Sequence, residues 1–173
     1  MPSRRTFVKV GLAGAALFAV ARFGNGPLAA AAPTYRLLDE KAAGIVKALA
    51  PIVLATALPE EAAAREQALS AIVLSFDRAA SSLAPVVQRE IVDLFLFLDF
   101  APTRVAFAHL WAPVAESTAE ELRSFLSRWR ESPFKLQQAS YQALTQFIHA
   151  SWYDMPEAWV ALSYPGPPPI ALR

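Results

Sequence analysis

From Tyr35 onward, apolar positions recur every three or four residues and do not alternate with polar ones, so the pattern predicts helices and no strand. Leu38, Ala42, Ile45, Val46, Leu49 and Val53 share one side of a first helix over about 35–57, which Pro51 should kink. Pro59 falls in the first turn of a second helix that reaches about residue 80, with Glu60 and Glu61 near the positive end of its dipole. Its apolar stripe is Leu69, Ile72, Val73 and Phe76. Ser81, Ser82 and Pro85 interrupt the pattern. A third helix over 86–99 carries Val87, Ile91, Val92, Leu94, Phe95, Leu96, Phe97 and Leu98. It is apolar nearly all round, so it is either central or turned toward a second protein, and the central position is the expectation.

Pro102 opens a short helix that runs to about Trp111 and stops before Pro113. Ser117-Thr118-Ala119-Glu120-Glu121 offers a capping box in either of two registers, ahead of a single apolar face made by Leu122, Phe125, Leu126 and Trp129. Ser132-Pro133 closes that helix and opens another over 133–151, with Tyr141, Leu144, Phe147 and Ile148 inward. Asp154-Met155-Pro156-Glu157 caps a last short helix through Trp159 to Leu162. The prolines after Ser163 favour an extended chain. The expected fold is all-α: a compact single-domain bundle of about six or seven helices with an extended Pro-rich C-terminal tail.

The first 31 residues follow a different pattern. Ser3-Arg4-Arg5-Thr6-Phe7-Val8-Lys9 precedes 12 apolar residues from Val10 to Ala21, too few for a membrane-spanning helix of about 20. This stretch resembles the twin-arginine export signal of bacteria, with Val8 where leucine is commonest; Ser3, Arg4, Arg5, Phe7 and Lys9 carry the resemblance. Ala29 and Ala31 suit a signal peptidase cutting after Ala31. The expected division is thus a leader over 1–31, a helical domain over 32–162 and a tail over 163–173. The resemblance implies export to the periplasm in a folded state, through the twin-arginine translocase.

Removing the leader takes away Arg4, Arg5, Lys9 and Arg22 and no acid, which moves the net charge from +1 to −3. Nothing in that balance favours nucleic acid as a partner. Cysteine is absent, which excludes disulfides, thiolate metal sites and covalent c-type haem attachment. The 55% hydrophobic content is high for a soluble domain and suggests an apolar patch for a partner.

Catalytic chemistry finds few residues. His109 and His149 each lack a histidine or carboxylate at i+3 or i+4 for a metal pair. Ser151 stands two residues from His149, on a different helix face. Asp93 and Asp99 stand out in the apolar third helix, as buried acids or as acids on its solvated edge or paired with an arginine. Beyond the leader the only glycines are Gly44 and Gly166, too few for a dinucleotide loop. No catalytic, cofactor or metal residue is assigned.

The other concentrated signal is C-terminal. Trp152, Tyr153 and Trp159 fall within eight residues, and Tyr164-Pro165-Gly166-Pro167-Pro168 follows. They either close the core or present a partner-binding surface. Together these eight residues resemble the C-terminus of the gluconate 2-dehydrogenase subunit 3-like family, the small subunits of bacterial flavin-dependent dehydrogenases; Ser163 stands where glycine is usual. The resemblance implies a non-catalytic subunit that escorts a large, FAD-bearing subunit of the glucose-methanol-choline type through twin-arginine export. A multihaem cytochrome c subunit often completes such complexes. The alternative is a stand-alone periplasmic protein that binds an apolar ligand along the Phe-rich third helix. A small enzyme using Asp93, Asp99 or His109 is a third, weaker alternative.

Overall fold

In a computed structural model of the chain, which describes residues 35–161, all regular structure is helical. The helices are α1 (Glu40–Leu54), α2 (Ala62–Ser81), α3 (Pro85–Asp99), the single turn α4 (Ala101–Thr103), α5 (Ala119–Arg130), α6 (Lys135–Tyr153) and α7 (Pro156–Ala161). A π-helical turn, Arg104–Ala108, continues α4, and 3-10 turns occupy Ala55–Ala57 and Val114–Glu116. The all-α fold expected from the periodicity is what forms.

The hub is α1, not the Phe-rich third helix. It packs against α2, α3, α5, α6 and the 3-10 turn before α5. Ala42, Ala43, Ile45, Val46, Leu49, Ala50 and Leu54 are buried, whereas α3 buries only Ile91, Phe95 and Leu98. Small residues explain the difference. Alanines and Gly44 let neighbours approach α1 from several sides, and the Cβ of Ala115 lies 3.5 Å from where a Cβ on Gly44 would sit. Bulky residues around α3 keep neighbours to one side and leave Val92, Leu94, Leu96 and Phe97 half-buried.

Most boundary differences trace to capping. α1 starts at Glu40 rather than Tyr35, because Asp39 accepts the Ala42 amide at 2.7 Å and residues 35–38 are claimed by another helix. It continues past Pro51 to Leu54 and ends at Ala55, which takes φ 46°. α2 starts at Ala62 rather than at Pro59: Glu61 is the N-cap, accepting the amides of Ala63 at 3.0 Å and Ala64 at 2.6 Å. The turn between the first two helices bends the chain by 119°. α6 starts at Lys135 rather than Pro133, since Phe134 is extended and its amide donates to Ser132 Oγ at 3.1 Å. Thr118 and Glu121 form the capping box of α5, which selects one of the two registers.

The core joins these helices through aromatic rings. Leu122, Phe125, Leu126 and Trp129 are all buried, and Phe125 meets Trp129 edge-on at 4.7 Å. Phe76 of α2 contacts Phe95 of α3 at 5.8 Å and Phe147 of α6 at 5.2 Å. Leu69, Ile72, Val73 and Phe76 are buried as their spacing predicts. On α6, Leu144 and Ile148 are buried while Tyr141 and Phe147 are half-buried against the core. No single helix among the described residues is long and apolar enough to cross a membrane. The leader and the Pro-rich tail lie outside the described residues.

Candidate interaction surface

The residues singled out for chemistry do not converge. Asp99 pairs with Lys41 at 2.8 Å, not with an arginine, and this contact raises the Lys41 pKa above its usual value. The nearest arginine, Arg104, donates instead to the Asp99 main-chain carbonyl at 2.5 Å. Asp93 lies half-buried on α3. His109 is exposed in the left-handed region at φ 55°, where it ends the π-turn. His149 donates from Nδ1 to the Thr145 carbonyl at 2.7 Å, which fixes the proton on that nitrogen because a carbonyl only accepts. Ser151 is buried, and its hydroxyl donates to the Phe147 carbonyl at 2.7 Å, directed away from His149. Among the described residues no group of three His, Asp or Glu gathers as a metal site would need.

A feature that the sequence pattern did not single out is Trp111. It is 81% exposed, the most exposed aromatic side chain among the described residues, with Leu136 at 76% the nearest large apolar side chain in exposure. The helix expected to reach it stops at Ala108, and the chain turns at His109. From there burial alternates: Ala108 and Leu110 go into the core, His109 and Trp111 face out, and Val114 is buried again. The segment is pinned from both sides. Arg128 donates to the Ala108 carbonyl at 2.8 Å and Trp129 Nε1 to the Phe107 carbonyl at 3.0 Å. Arg104 reaches the Trp111 carbonyl from within at 3.4 Å. Arg104 is 5% exposed and its Nε has no hydrogen-bond partner among the described residues, a desolvation cost accepted at the base of this knuckle. Within the segment, Phe107 packs against Phe97 of α3 with ring centroids 5.3 Å apart. An indole held outward on a pinned backbone is pre-organised, so docking it costs little conformational entropy.

The C-terminal aromatics divide. Trp152 is 2% exposed and belongs to the core, so it offers no surface to a partner; this corrects its candidacy. Trp159 is half-buried, and its indole N–H donates to the Tyr153 carbonyl at 2.7 Å, which ties α7 to the end of α6. Tyr153 is 41% exposed, with its ring parallel to that of His149 at 6.3 Å. Tyr164, Pro165, Gly166, Pro167 and Pro168 lie outside the described residues, as do Ser3, Arg4, Arg5, Phe7, Lys9, Ala29 and Ala31.

A second missed residue is Asp77, buried in the C-terminal part of α2. Its carboxyl accepts three consecutive main-chain amides, from Arg36 at 2.7 Å and from Leu37 and Leu38 at 2.9 Å. One acid inside the apolar run from Leu69 to Ala80 was the available signal, because a buried carboxyl requires donors.

Depressions open to solvent among the described residues include two of note. One lies beside α3 and the 37–42 segment and holds about 30 Å³, on the order of one water. The other, about 200 Å³, runs between α1, α5 and α6. Comparison of the chain with protein-family models, with curated proteins and with solved structures yields no match.

Proposed function

We propose that this chain is the non-catalytic small subunit and export escort of a periplasmic flavin-dependent dehydrogenase. Trp111 is the observation that carries the reading: an outward indole on a pinned loop, flanked by buried Leu110 and Val114, is suited to anchoring another protein. Two stretches of sequence, near the start and near the end of the chain, support it. The leader resembles a twin-arginine signal, a route for folded cargo, and the C-terminal residues resemble those of dehydrogenase small subunits. In this reading FAD belongs to the large subunit, and a multihaem cytochrome c is a further partner. The apolar-ligand alternative gains no support at α3, whose one buried ring, Phe95, packs in the core beside a depression of about 30 Å³.

The test is co-expression with a candidate flavin-dependent dehydrogenase large subunit. Replacing Arg4 and Arg5 by lysine should strand the large subunit in the cytoplasm. Its normal export would end the proposal. Trp111→Ala should leave the thermal midpoint unchanged and weaken association by about 2 kcal/mol or more, roughly thirtyfold, as measured by calorimetry on the purified subunits.

A further inference from the structure

The 200 Å³ groove between α1, α5 and α6 has a chemistry that the escort reading does not use. Tyr141, Thr145 and His149 fall on one face of α6 at four-residue spacing and form one wall. Arg123 and Arg130 stand on α5 opposite, and Ile52, Val53 and Leu126 make an apolar side. Arg130 pairs with Glu131 at 2.9 Å, which leaves the Arg123 guanidinium as the groove's uncompensated side-chain charge. Thr145 Oγ1 is spent as a donor to the Tyr141 carbonyl at 2.8 Å, and His149 Nδ1 is spent on the Thr145 carbonyl. The donors left are the Arg123 guanidinium, the rest of the Arg130 fork and the Tyr141 hydroxyl, and a guanidinium's planar fork matches a carboxylate.

We propose that this groove binds a short aliphatic monocarboxylate, with its carboxylate on Arg123 and Arg130 and its tail against Ile52, Val53 and Leu126. A single uncompensated positive charge matches a monoanion better than a dianion. The volume lies below the roughly 300–1,000 Å³ of drug-sized sites, so the ligand is small. The apolar side distinguishes an aliphatic acid from an inorganic anion, which would gain nothing from it.

The probe is sodium hexanoate, titrated into the purified chain and followed by the ring resonances of His149 and Tyr141. Hexanoate should shift both sets saturably in the millimolar range. The Arg123→Ala/Arg130→Ala double variant should bind about tenfold more weakly; both side chains are exposed, so the core is untouched. No shift, an equal response to hexanol or inorganic phosphate, or unchanged affinity in the double variant would each overturn the proposal. Trp111 is not among the walls and no partner is needed, so failure here leaves the escort reading standing.

Discussion

Asp77 shows how one side chain can set where a helix begins. Its two oxygens serve three amides, with Oδ2 taking Arg36 and Oδ1 taking Leu37 and Leu38. That arrangement holds residues 36–38 out of the helix which their apolar spacing predicts. Asparagine in its place would set an NH2 group against amides that also donate. Asp77→Asn should therefore cost about 2 kcal/mol or more, read as a shift in the urea midpoint with little change in slope. Periodicity cannot reveal such a contact, because Asp77 and its donors are about 40 positions apart. Trp111 was hidden for a related reason. Spacing alone extended a helix over it, and only the π-turn and the left-handed His109 swing it outward.

Among elements, helix faces were readable and helix ends less so. The face of α5 is fully as its spacing predicts, because one amphipathic stripe meets one core. α3 was misplaced because an all-round apolar helix carries no directional information. The crowding of its own Phe and Leu side chains, against the small residues of α1, decided which helix became the hub. Gly44 tests that account. A methyl there meets only Ala115 at an ordinary 3.5 Å, so Gly44→Ala should stabilise by roughly 0.5–1 kcal/mol through helix propensity. Thermal melts would check it, and a loss of stability would show that α1 needs the glycine. The α5 cap gives a pH dependence. The Thr118 amide and hydroxyl both donate to Glu121 and hold its pKa below the ordinary glutamate value. The sign follows from linkage: the cap's contribution is complete above the unfolded-state value and is lost as pH falls through the lower folded one. Glu121→Gln should flatten the acid-side decline of the thermal midpoint and leave the midpoint's slope near neutrality unaltered.

At the scale of the molecule, an all-α bundle of about this many helices was legible in the sequence, since fold class follows from the apolar period and the breaks in it. The candidate surface was not. It depends on which side chains the packing leaves over: Trp152 was absorbed by the core, and Tyr153 and Trp111 were left outside. The Asp77 clamp also has a mechanical meaning. Tension applied upstream of Tyr35 meets three hydrogen bonds that share the load on Asp77, near the C-terminal end of α2, before it can peel α1 from its end. In single-molecule pulling from the N-terminus, Asp77→Asn should lower the rupture force, while pulling on an attachment point within α1 should show no such difference. The described chain is thereby gripped at residues 36–38, ahead of α1, where a force applied at its N-terminal side would otherwise begin to unravel it.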